Sequence, residues 1–181
     1  PSQQIIQRKN MKEILSLKIE MPCIPPKKVL QNYDSKKKWL YKKENSEFIK
    51  FKNELIMMYQ KEILLLRELN EKYAEKLFIK VNIKITKKMS DSYSKKKWVK
   101  EVLQNNEKIF CNQKPDTDNI RKSLFDAIFT TPKEVIVKKE GRFEKRTRWV
   151  GFDEKICEDY LVKIFGESDS LRMIITCFRM D

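Results

Sequence analysis

In the stretch Leu77-Phe78-Ile79-Lys80-Val81-Asn82-Ile83-Lys84-Ile85, every odd-numbered residue is aliphatic, while Phe78, Lys80, Asn82 and Lys84 fill the even positions. Successive strand side chains point to opposite faces, so this period of two predicts a half-buried strand with five aliphatic residues on its core face. Upstream, from about Ser46 to Glu75, the spacing becomes helical: Phe48, Phe51, Leu55, Met58, Leu65 and Leu69 mark one face, with no Gly or Pro inside. Further back, Leu15, Leu17, Ile19 and Met21 alternate with polar residues, a second strand ended by Pro22 and the Pro25-Pro26 pair. A polar, lysine-rich connection runs from there through Lys43.

Downstream of Ile85, residues 87–112 are rich in Lys and Ser, with a short helix expected around Trp98 to Leu103. A second main helix is expected from Asp118 to Phe129, where Ile120, Leu124, Ala127 and Ile128 form an apolar stripe. Residues 132–150 read as a basic hairpin turning near Glu140-Gly141. Ile156 to Phe165 and Leu171 to Phe178 are two further strands, separated by Gly166-Glu167-Ser168-Asp169. The sum is one α/β (α+β) domain over residues 1–181, a mixed four-stranded sheet packed against two main helices. Its first residue is Pro1 rather than a methionine, so a few upstream residues are expected.

The chain has 181 residues, 40 Lys and Arg against 26 acids, a formal net charge of +14, and 40% hydrophobic residues. That hydrophobic share suits a folded core, and the charge excess calls for a polyanionic partner such as nucleic acid. There is no histidine, which excludes Ser-His-Asp and Cys-His catalysis and every His-ligated metal centre. A hydrolase of this composition must work with carboxylates, helped by Lys, Tyr or Cys. Cys23, Cys111, Cys157 and Cys177 form no Cys-x-x-Cys pair, which argues against zinc and predicts free thiols in a reducing cytoplasm. No apolar run approaches the ~18–20 residues of a membrane span.

Chemistry concentrates in Lys114-Pro115-Asp116-Thr117-Asp118-Asn119-Ile120-Arg121-Lys122-Ser123-Leu124-Phe125-Asp126. Asp116 and Asp118 project towards one side of an extended or turning segment, and Asp118 suits a helix N-cap. Asp118, Lys122 and Asp126 follow at i, i+4 and i+8, on a face distinct from the apolar stripe. Clustered acids are costly without a cation, and hard oxygen ligands suit Mg²⁺ or Mn²⁺. Taken singly, each piece is also an ordinary cap, an exposed ion pair or a turn acid.

The order of these pieces resembles the RusA-type Holliday-junction resolvases, whose motif reads approximately Asp-x-Asp-Asn-x-x-Lys-x-x-x-Asp, followed by Asp-Asp-x-x-Val/Ile. Asp116, Asp118, Asn119, Lys122 and Asp126 match the first part, and Asp153-Glu154-Lys155-Ile156 the second; Lys163 in the following strand is also similar. The first acid of the later pair is Phe152 here, and a one-residue slip in alignment would make Glu154 the ligand in place of Asp153. The segments 87–112 and 131–150 are longer than compact members need and stand as basic insertions.

The resemblance implies Asp116, Asp118 and Asp153 as ligands of Mg²⁺ (or Mn²⁺), with Lys122 completing the catalytic set. Asp126, Asn119 and Glu154 would stand just behind them. It further implies a homodimer making paired nicks in a four-way DNA junction, in a nucleoid-associated cytoplasmic setting. Backbone contacts are expected from Lys36, Lys37, Lys38, Lys95, Lys96, Lys97, Lys138, Lys139, Arg142, Lys145, Arg146 and Arg148, with Trp98 and Trp149 as stacking candidates or core. The competing readings are a non-catalytic branched-DNA or RNA-binding basic protein, and a metal nuclease acting on flaps or forks.

Overall fold

A computed structural model describes residues 11–34, 39–105, 107–113, 116–139 and 142–180, with backbone alone for 29–34, 39–44 and 139. In chain order the elements are β1 (Met11–Met21), β2 (Val29–Asp34), β3 (Trp39–Glu44), α1 (Ser46–Met58), α2 (Gln60–Tyr73) and β4 (Leu77–Lys88). There follow α3 (Asp91–Ser94), α4 (Lys97–Gln104), α5 (Thr117–Ile128), β5 (Thr130–Lys139), β6 (Arg142–Gly151), β7 (Ile156–Gly166) and β8 (Ser170–Met180).

The main sheet has the order β1-β8-β4-β7, with β8 antiparallel to both neighbours and β4 parallel to β7. Parallel neighbours need a long crossover. Here it holds α3, α4, α5 and the β5–β6 hairpin. This is the expected mixed α/β architecture with a four-stranded sheet.

The aliphatic residues of β4 are all buried, and they meet Ile19 and Met21 of β1 and Met173, Ile175 and Cys177 of β8 on one sheet face. Onto this face pack Phe48, Phe51 and Leu55 of α1, Ile63 and Leu66 of α2, and Ile120, Leu124, Ala127 and Ile128 of α5. The other face is open and carries Lys80, Asn82, Tyr160, Arg172 and Ile174, with Tyr160 61% exposed. A satellite cluster of Val99, Ile109, Cys111 and Phe165 seats α4 against the end of β7.

Two expectations change. The helix expected over residues 46–75 breaks at Tyr59 (φ −119°, ψ 30°) into α1 and α2. The buried face runs through Phe48, Phe51, Leu55, Ile63 and Leu66 at continuous helical spacing, with the expected Met58 and Leu65 exposed, so periodicity does not register the break. What holds it is tertiary: the Tyr59 hydroxyl donates to Glu20 O and accepts from Glu20 N, each at 2.8 Å, on the outer edge of β1. The connection expected through Lys43 instead contains the antiparallel β2–β3 hairpin, whose short strands lack an apolar alternation to announce them.

Candidate active site

Asp116 is the N-cap of α5, in extended conformation (φ −71°, ψ 161°). One carboxylate oxygen accepts from the Asn119 backbone N–H and the other from Asn119 Nδ2, both at 2.8 Å. Asp116 therefore takes the capping position expected of Asp118, because its carboxylate meets the amide three residues on and Asn119 doubles the bond. Asp118 falls inside the first turn, where its Oδ2 accepts from Lys122 Nζ at 2.8 Å. The pair is about two-thirds exposed, and the hydrogen bond to Asp118 holds the Lys122 ammonium above its ordinary pKa. Four of the expected residues, Asp116, Asp118, Asn119 and Lys122, thus meet on the first turns of one helix.

The chain is delivered to this point by β7. Cys111 N–H donates to Lys163 O and Phe165 N–H to Ile109 O, both at 2.9 Å, so residues 109–111 run along the strand's free side. The Lys163 ammonium, in a nearly buried residue, donates to Gln113 O just ahead of Asp116. Lys163 thus holds the approach to the acids. One turn into α5, Arg121 Nε lies 2.7 Å from Asp159 Oδ2 of β7, an ion pair without hydrogen-bond alignment.

The other side of α5 is tied to the proline-rich exit of β1. Ser123 Oγ, fully buried, donates to Pro26 O at 3.0 Å, and Lys28 Nζ reaches Asp126 Oδ2 at 2.6 Å. Asp126 is thus engaged by Lys28 and not by Lys122. Sequence spacing offered no signal for this, since the partners lie 98 residues apart.

Asp153 stands elsewhere. Phe152 N–H donates to Phe129 O at 2.9 Å, immediately beyond the C-terminal end of α5, and Asp153 follows in a short 3-10 turn. A twelve-residue helix is ~18 Å long, so Asp153 lies at the opposite end of α5 from Asp116 and Asp118. Phe152, where the family pattern has an acid, is buried and edge-on to Phe129 at 5.6 Å. Gly151 makes room for Asp153: a methyl group there would stand 2.9 Å from Asp153 Oδ1. Glu154 is exposed. Among the described residues, no group of three or more His, Cys, Asp or Glu side chains is placed to hold a metal ion.

Of the expected nucleic-acid contacts, Lys95, Lys96 and Lys97 are exposed at the α3–α4 junction, and Lys138, Arg142, Lys145, Arg146 and Arg148 are exposed on the β5–β6 hairpin. Lys36, Lys37 and Lys38 lie outside the described residues, as does the side chain of Lys139. Trp98 is half-exposed, edge-on to Tyr93 at 5.7 Å. Trp149 sits between Lys52 of α1 and Arg67 of α2, 5.9 and 5.3 Å from its ring centre. It anchors the root of the hairpin and is not core.

The site is thus an exposed helix start that carries Asp116, Asp118 and Lys122 on a basic α/β domain. Residues 33–141, more than half of the chain, match the endodeoxyribonuclease RusA family, and the chain belongs to that family. The match runs through the 87–112 segment and stops at the turn of the β5–β6 hairpin. No curated protein and no solved structure matches the chain. Among the described residues, no helix is long and apolar enough to cross a membrane.

Proposed function

We propose that this endodeoxyribonuclease resolves four-way DNA junctions by paired nicks, using Mg²⁺ (or Mn²⁺) at the start of α5. The observation that carries the reading is the juxtaposition of Asp116, Asp118 and Lys122 on the first turns of that helix. Mg²⁺ is commonly held by only one or two carboxylates, with waters and substrate phosphate completing its shell, so this exposed pair of hard oxygen donors fits it. When bound, the ion supplies water activation and neutralisation of phosphate charge.

The remaining roles fall to the chain itself. Asn119 fixes the orientation of Asp116 through two hydrogen bonds. Lys122, fully charged at neutral pH, exchanges Asp118 for a non-bridging phosphate oxygen and balances charge in the transition state. The positive end of the α5 dipole favours the same anion. Asp153 is the third acid of this reading. Since one chain holds it at the far end of α5, a two-fold dimer would supply it to the partner's Asp116–Asp118 pair. Such a dimer suits a junction of near two-fold symmetry. Asp126, with Lys28, braces the helix rather than the reaction.

The test is cleavage of a labelled synthetic junction with Mg²⁺, beside a linear duplex and a flap, by wild type and Asp118→Asn. Paired junction nicks that vanish in the variant are expected. Tight junction binding with every strand intact in both Mg²⁺ and Mn²⁺ would leave a binding protein. Preferred cutting of the flap would make it a flap nuclease.

A further inference from the structure

The β5–β6 hairpin is a ribbon of ten paired positions, ~33 Å long, with different chemistry on its two faces. Cross-strand partners share a face. One face carries the pairs Lys133/Arg148 and Val135/Arg146; the other carries Ile136/Lys145 and Lys138/Phe143. Lys133 and Arg148 are like charges directly opposite one another, and neither has an acidic partner among the described residues. Such a pair destabilises an isolated ribbon. It becomes favourable against a line of phosphates.

The tip presents a second anomaly. Ile136 is 69% and Phe143 74% exposed, diagonal neighbours on one face, with the Lys138 ammonium 5.9 Å from the Phe143 ring centre. A solvated turn has no use for two bare apolar side chains flanked by cations. A base pair whose face is exposed does: every base offers a π-face, and a neighbouring cation serves its phosphate. Away from its ends a linear duplex exposes no such face, whereas the centre of an open junction exposes one in each arm. The root is rigid enough to aim the tip, since Arg67 Nε donates to Thr130 O at 2.7 Å and Trp149 is clasped by Lys52 and Arg67.

The geometry points to the β5–β6 ribbon as a branch-point wedge, with Lys133 and Arg148 on the phosphates of one arm and Phe143 stacked on the exposed base pair of another. A two-stranded ribbon has the width to lie in a major groove, which lets both faces meet DNA. This inference rests on the junction reading above and assigns the source of its selectivity.

The experiment is binding of the full chain, in EDTA, to a four-way junction carrying 2-aminopurine at the branch point and to a linear duplex of matched length. Phe143→Ala is expected to lower the junction-over-duplex preference by roughly five- to a hundredfold and to abolish the 2-aminopurine change, with duplex affinity unaltered. Phe143→Tyr keeps both, which separates stacking from folding. The double variant Lys133→Gln/Arg148→Gln weakens both DNAs alike and flattens the salt dependence. A Phe143→Ala protein that retains its preference and its 2-aminopurine signal would overturn the wedge alone. Wild type that binds both DNAs equally would overturn the junction reading as well.

Discussion

Lys28 Nζ and Asp126 Oδ2 lie 2.6 Å apart, joining the exit of β1 to the last turn of α5. Both side chains are nearly half exposed, so solvent screening limits what the pair contributes. Asp126→Asn and Lys28→Met should each cost less than ~1 kcal/mol in urea unfolding, with a coupling of a few tenths in the double-mutant cycle. Junction cleavage should stay within severalfold of wild type. A hundredfold loss in Asp126→Asn with unchanged stability would move Asp126 into the reaction.

Mixing two inactive variants tests where Asp153 acts. If a dimer supplies it to the partner's acids, Asp118→Asn and Asp153→Asn proteins should each be dead alone. Together they should recover roughly a quarter of wild-type nicking, since half of randomly mixed dimers hold one intact site. Nicking of a single labelled strand after subunit exchange is the readout. A mixture as dead as its parts means that Asp153 serves its own chain.

Gly151→Ala brings a methyl group to 2.9 Å from Asp153 Oδ1, closer than such contacts tolerate. The carboxylate is exposed and free to swing away, so unfolding free energy should change by less than ~1 kcal/mol. Cleavage should fall at least tenfold with DNA affinity unchanged, as measured by single-turnover nicking beside a binding isotherm.

Trp149→Ala removes the ring clasped by Lys52 and Arg67, and with it about 1 kcal/mol of cation–π attraction. The effect should be local. Trypsin should cut the hairpin within residues 133–148 several times faster than in wild type, while the main unfolding transition moves by only a few degrees; peptide mapping over time checks this.

Burial pushes the Cys177 thiol up to about 12. An unfolded thiol ionises near pH 8.5–9, so the stability tied to the protonated form is intact below that value. It is lost progressively as pH rises towards 12, by up to ~1.4 kcal/mol per pH unit. Cys177→Ala should show a shallower alkaline decline than wild type by urea titration at each pH. In folded wild type, Cys177 should also resist alkylation at pH 8 more than the exposed Cys157.

The sheet was legible because its strands carry a period of two on a single buried face, most clearly in Leu77 to Ile85. The β5–β6 hairpin was legible from its turn and charge. The break at Tyr59 was not, because it depends on a hydroxyl meeting Glu20 thirty-nine residues away. Within the site, the Asp118–Lys122 pair followed from helical spacing, and Asp116 from its place two residues ahead of Asp118. The capping role went to the other aspartate, since Thr117 and not Asn119 opens the helix. The position of Asp153 and the Lys28 partner of Asp126 depend on how the crossover returns, which spacing along the chain does not encode.

Tyr59 has a consequence for assembly. A sheet edge is an open template, and its unpaired amides and carbonyls invite a further strand from another molecule. On β1 the Tyr59 hydroxyl fills both the donor and the acceptor of Glu20, so one side chain occupies the rung a foreign strand would need. On β7 the segment around Phe110 performs the same service through its bridge to Ile164. With one rung taken on each border, the main sheet offers a shorter template at Glu20 and at Ile164 for end-to-end fibre growth by copies of this chain.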